Sequence, residues 1–97
     1  MGQLSEVLAV LRANAGELDR MYGVRNLAVF GSVARGQATA HSDVDIVADV
    51  PLSVDVLKLM EIELHLRRLL NTEVDVVPRG EIRRELRDRV LSESVPV

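Results

Sequence analysis

A chain of 97 residues holds one domain, residues 1–97, with no room for a separate large substrate domain or for long tandem repeats. Its formal net charge of −3, from 12 basic and 15 acidic residues, argues against bulk electrostatic binding to nucleic acid. The absence of cysteine excludes disulfides, thiolate catalysis and thiolate zinc sites. The longest apolar run, Val7 to Leu11, is too short for a membrane span or a signal-peptide core, so a cytoplasmic protein is expected.

The core has to be aliphatic, because 16 Val, 14 Leu and 3 Ile stand against one Phe and one Tyr. Leu4, Val7, Leu8, Leu11, Ala15, Leu18 and Tyr22 follow helical spacing, and Gly23 stops that helix. Leu27-Ala28-Val29-Phe30 reads as a short strand buried on both faces. Residues 31–42 read as a turn, a short helix near Ser32–Arg35 and a loop, with Gly36 serving the turn and His41 exposed to solvent.

Residues 44–50 form the next strand, ended by Pro51. Period two places Asp43, Asp45, Val47 and Asp49 on one face and Val44, Ile46, Ala48 and Val50 on the other. Ser53 can cap a long helix running to about Leu70 and ended by Asn71. Its main apolar arc is Val56, Leu59, Ile62, Leu66, Leu69 and Leu70. Leu57, Met60 and Leu64 form a second stripe, which either completes the core against the first helix or meets a partner; His65 reads as surface. A third strand, Glu73 to Val77, and a last helix carrying Ile82, Leu86 and Val90 complete an α/β (α+β) domain with a mixed sheet of three or four strands. Arg83, Arg84, Arg87 and Arg89 alternate with acids, the pattern of a solvated, salt-bridged face.

Two acids at the start of an aliphatic strand are a poor choice for stability. Asp has low β propensity, and like charges on one face repel. Both costs disappear if a divalent cation sits between Asp43 and Asp45, and hard carboxylate oxygens suit Mg²⁺ or Mn²⁺ completed by substrate phosphates. Gly31-Ser32, directly after a buried strand, lets backbone approach a phosphate closely and offers a hydroxyl and an N–H. Asp75, inside the apolar strand Val74-Asp75-Val76-Val77, joins the same site if its strand neighbours that of Asp45. Two metals held by three carboxylates can clamp the attacking and leaving oxygens of a phosphoryl displacement. Asp49, farther along the same face, reads as a solvated acid, and Tyr22 as a packing residue at its helix end.

Gly31-Ser32, Ala34-Arg35-Gly36 and Ser42-Asp43-Val44-Asp45-Ile46 together resemble the nucleotidyltransferase signature G-S-x(10)-D-x-D. The likeness runs over nearly the whole chain and is to the minimal nucleotidyltransferases of the DNA polymerase beta superfamily. It implies transfer of a nucleotide, commonly AMP from ATP, with two Mg²⁺ ions. It implies metal binding by Asp43 and Asp45, metal binding and activation of the attacking hydroxyl by Asp75, and triphosphate binding by Gly31, Ser32 and Arg35. Proteins of this type are commonly encoded beside a helical HEPN-domain toxin. The nucleotidyltransferase is then the antitoxin and adenylylates a tyrosine of the HEPN ribonuclease. The competing expectations are an antitoxin that works by occlusion alone and a small-molecule nucleotidyltransferase.

Overall fold

The computed structural model describes residues 4–37 and 43–97; the loop expected over 38–42, with His41, lies outside the described residues. Helix α1 spans Leu4–Tyr22, strand β1 Arg25–Phe30, helix α2 Gly31–Ala34, strand β2 Val44–Asp49, helix α3 Val56–Leu70 and strand β3 Val74–Pro78. A 3₁₀ turn at Arg79–Glu81, helix α4 at Arg84–Glu93 and a two-residue strand β4 at Val95–Pro96 follow. The sheet order is β3-β2-β1-β4. β1 runs antiparallel to β2 and to β4, whereas β2 and β3 are parallel and joined by the α3 crossover.

Strand alternation divides the sheet into two unlike faces. Leu27, Val29, Val44, Ile46, Ala48, Val74 and Val76 point into the main core, where α1 contributes Val7, Leu11 and Leu18 and α3 contributes Ile62, Leu66 and Leu70. On the opposite face Ala28 and Val47 pack with Ile82, bordered by Phe30, Val77, Val90 and Leu91. This second core covers only the middle of its face, so the acids of β2 and β3 lie on the thinly covered side. Leu66 is fully buried in the main core. Leu66→Ala should cost about 2–5 kcal/mol, a large share of the roughly 5–15 kcal/mol that holds a domain of this size together. A urea titration followed by circular dichroism measures it as a lower midpoint at unchanged slope.

Several sequence expectations shift in detail. The cap of α3 is Asp55, whose Oδ1 accepts from the Lys58 N–H at 2.8 Å. Ser53 is consumed by the preceding turn, which the Val54 N–H closes onto the Pro51 carbonyl at 3.0 Å. Val56 therefore opens the helix from an exposed position outside the main arc. Asn71 ends α3 in the left-handed region, with φ 54°. Leu86, expected on the buried side of the last helix, is exposed, and Ile82 lies ahead of that helix. His65 is half-buried, because the Tyr22 hydroxyl reaches its Nδ1 at 3.1 Å and the two rings meet edge to face.

β3 forms one edge of the sheet, and two of its outward groups are met from α3. Glu63 Oε2 accepts from the Val76 N–H at 2.8 Å, and Arg67 Nη2 reaches the Val74 carbonyl at 3.5 Å. Pro78, closing the strand, has no N–H to offer.

Candidate active site

β1 runs into α2 with no intervening residue, so Gly31 carries the whole change of direction and takes φ +76°. A methyl at Gly31 would overlap Oδ2 of Asp45 and lie 3.2 Å from its Cγ. Only glycine supplies both the left-handed backbone and the space. The sharp turn is thus packed against a carboxylate from the neighbouring strand. Ser32 is the second residue of α2, and no side chain caps the start of that helix. The turn is secured at its other end by the Gln37 N–H on the Ser32 carbonyl at 2.9 Å and the Arg35 N–H on the Gly31 carbonyl at 3.1 Å.

The parallel pairing of β2 and β3 places Asp45 directly beside Asp75, and the antiparallel pairing of β2 and β1 sets Phe30 on the other side of Asp45. The Val44 N–H donates to the Glu73 carbonyl at 2.9 Å and fixes this register where the two strands begin. Asp43, one residue before β2, is exposed. Burial raises the Asp45 carboxyl above its ordinary value, Asp75 and then Asp43 raise it further, and Arg35 opposes them. Three carboxylates therefore share one field. Among the described residues none donates a hydrogen bond to the side-chain carboxylate of Asp43, Asp45 or Asp75.

The donor chemistry fits a hard divalent cation, since two added positive charges would cancel the repulsion that raises Asp45. Among the described residues no three acid or imidazole side chains converge as a finished chelate. An open carboxylate set suits an ion whose remaining ligands are water and substrate phosphate.

Of the expected site residues, Gly31, Ser32, Asp45 and Asp75 come together, with Asp43 at the rim. Arg35 is near enough to Asp45 to lower its pKa, but its side chain is engaged elsewhere. Its Nε donates to Gln37 Oε1 at 3.1 Å, and its Nη1 lies 3.6 Å from Glu93 Oε2 at the end of α4. Asp49 is exposed as expected but is not merely solvated. Asn26 donates to its Oδ2 at 2.7 Å, and Arg79 pairs with its Oδ1 while also donating to the Asn26 carbonyl at 2.9 Å. The Asn26 hydrogen bond, then Arg79, holds the Asp49 carboxyl below its ordinary value. This clamp ties the far end of the face, where the β1–β2 register slips and Asn26 takes φ 53°. Nothing in the sequence marks Asn26, Arg79 or Glu93 as members of these networks, since their partners lie 23 to 58 positions away.

Comparison with known proteins settles the family. The nucleotidyltransferase domain family matches residues 11–97. The chain belongs to that family. This nucleotidyltransferase domain is 39% identical over 94 residues to the protein adenylyltransferase MntA of Thermococcus cleftensis, covering 97% of this chain and 95% of that one. A solved structure described as a minimal nucleotidyltransferase superposes with a TM-score of 0.82 at 32% identity, covering 98% of this chain and 96% of the other. A toxin–antitoxin crystal structure with AMP-PNP shares the fold, with a TM-score of 0.70 at 22% identity, over 96% of this chain and 70% of its own. The four-stranded mixed sheet with its helices is thus the fold of a minimal nucleotidyltransferase. Among the described residues no helix of this nucleotidyltransferase is long and apolar enough to cross a membrane.

Proposed function

We propose that this protein is an antitoxin that transfers AMP from ATP to a tyrosine hydroxyl of a cognate HEPN-domain ribonuclease toxin, in the cytoplasm and with Mg²⁺. The observation that carries the reading is the packing of the Gly31 turn against Asp45, with Asp75 the strand neighbour of Asp45. It sets a backbone turn without side-chain bulk directly beside hard oxygen ligands. The kinship to the adenylyltransferase MntA and the shared fold of the toxin–antitoxin structure support the choice of nucleotide and of partner.

In this reading Asp43, Asp45 and Asp75 hold two Mg²⁺ ions. When bound, Mg²⁺ supplies charge neutralisation along the triphosphate. Gly31 and the Ser32 N–H and hydroxyl cradle the phosphates, where the uncapped start of α2 offers N–H donors. Arg35 exchanges its contacts with Gln37 and Glu93 for a phosphate oxygen. Asp75 accepts the proton of the attacking hydroxyl. The hydroxyl oxygen forms a bond to the α-phosphorus, the bond from that phosphorus to the bridging oxygen breaks, and pyrophosphate departs. Orientation and electrostatic stabilisation provide most of the acceleration, as in phosphoryl transfer generally.

The test uses ATP labelled in the α-phosphate, Mg²⁺ and the co-expressed HEPN-domain protein. Label should appear on that protein, with a mass increase of one or more AMP units at a tyrosine. Label should be absent with the Asp43→Asn/Asp45→Asn double variant. An unlabelled partner that the double variant still neutralises would establish inhibition by occlusion instead.

A further inference from the structure

α3 presents three faces. Ile62, Leu66 and Leu70 enter the main core, and Leu57, Met60 and Leu64, the second apolar stripe, are exposed rather than core. Between them lie Glu63 and Arg67, one helical turn apart, half-buried and turned to the edge of β3.

These two side chains arrive at particular backbone groups. The Val44 N–H on the Glu73 carbonyl turns the backbone of Glu73 towards β2. Strand alternation then turns the backbone groups of Asp75 the same way and those of Val74 and Val76 outwards. Glu63 Oε2 accepts at 2.8 Å from the Val76 N–H, in the peptide that follows Asp75. Arg67 Nη2 reaches the Val74 carbonyl, in the peptide that precedes Asp75, at 3.5 Å. Arg67 Nε also lies 3.1 Å from Glu73 Oε2. The peptide groups on either side of Asp75 are thus both met from α3.

Asp75 needs this support more than Asp45 does. Asp45 lies in a strand paired on both sides and against the Gly31 turn. Asp75 lies on an edge strand, its side chain is exposed, and among the described residues none donates a hydrogen bond to its carboxylate. Its direction therefore follows its backbone, which β2 holds from one side only. Water could satisfy the outward Val76 N–H, but a carboxylate on a packed helix holds that group in one place. We infer that Glu63, with Arg67 beside it, is a positioning residue that aims Asp75 into the carboxylate set. The inference rests on the proposed role of Asp75 as metal ligand and proton acceptor.

Mn²⁺ binding, followed by electron paramagnetic resonance, tests it without an acceptor protein. Glu63→Ala should weaken Mn²⁺ binding severalfold with an unchanged helical spectrum. Glu63→Gln should bind as the wild type does, because it keeps an acceptor oxygen at the same reach. Since Gln also removes the charge, its recovery separates the hydrogen bond from the field of the carboxylate. Glu63→Ala combined with Asp75→Asn should bind no more weakly than Asp75→Asn alone, because a residue acting through Asp75 has nothing left to aim. In the transfer assay Glu63→Ala should lower kcat about tenfold, less than the loss for a full ångström of displacement, and leave the KM for ATP unchanged. Arg67→Ala should show the same pattern more weakly, and it decides the matter if Glu63→Ala fails to fold. The inference is overturned by wild-type Mn²⁺ affinity in Glu63→Ala, by a Glu63→Gln protein as impaired as Glu63→Ala, or by a loss that adds in full to that of Asp75→Asn. A wild type that binds Mn²⁺ but labels no partner refutes adenylyl transfer alone, and the Mn²⁺ comparison still decides the role of Glu63.

Discussion

Asp45→Asn should abolish nucleotide transfer and stabilise the protein that lacks it. Catalytic loss follows from removing a charged ligand at the centre of the carboxylate set. A fall of about 10³-fold corresponds to about 4 kcal/mol of lost transition-state stabilisation. The gain in stability comes from the same carboxylate. Its folded-state pKa is raised, by burial first and by Asp75 and Asp43 next, so the folded protein takes up this proton more readily than the unfolded chain. The associated stability is complete below the unfolded value. It is lost as pH rises through the raised folded value, and at neutral pH the ionised Asp45 is a net cost. Asn removes that cost. The melting temperature of Asp45→Asn, measured in chelator, should exceed that of the wild type at pH 7, and the gap should narrow as pH falls towards the ordinary carboxylate range. Each 1 kcal/mol appears as about 4–8 °C in a domain of this length. Added Mg²⁺ should raise the wild-type melting temperature by mass action and leave the variant unmoved. A variant that melts below the wild type in chelator at pH 7 would contradict the electrostatic account.

The second large effect is expected at Gly31. A methyl there meets two penalties: a left-handed backbone costing about 1–2 kcal/mol for a non-glycine residue, and collision with the Asp45 carboxylate. Gly36 separates the two, because it has a similar φ of +72° and nothing within 4 Å of an added methyl. Gly31→Ala and Gly36→Ala should both lower the melting temperature, since both carry the backbone strain. Only Gly31→Ala displaces Asp45, and a displacement of an ångström at a reacting centre reduces turnover by about 10²-fold. Comparing transfer rates of the two variants below both melting temperatures isolates the contact. Equal losses would assign the effect to backbone strain alone.

How far each feature could be read from sequence depends on how local its cause is. The alternation in residues 44–49 places Asp45 opposite the core-facing Val44 and Ile46 with no further information. The apolar spacing of α1 and the stop at Gly23 are equally local, and the helix ends where expected. Capping of α3 by Asp55 rather than Ser53 turns on a hydrogen bond from Val54 to Pro51, which competes for the same few residues and has no signature of its own. β4 is two residues long, one of them proline, and exists only because β1 offers an edge to Val95 and Pro96. The Tyr22–His65 contact spans 43 positions, so a mid-helix histidine reads as surface until α1 is laid beside α3. Within the candidate site, the pairing of Asp45 with Asp75 follows from parallel register, which helical and strand periodicity do not specify.

The guarded edge of β3 bears on how the protein behaves while it is being made. An open strand with free N–H and carbonyl groups is a template on which other chains can add. In the finished molecule that template is interrupted by Glu63 and Arg67, both carried by α3, and by Pro78 at the strand's end. The block therefore depends on the crossover helix having docked. Before α3 settles on the sheet, Val74 and Val76 present their polar backbone to the solvent and to each other's copies. Self-association is expected in that interval. Slow refolding at high protein concentration should therefore lower the soluble yield without altering the stability of what does fold.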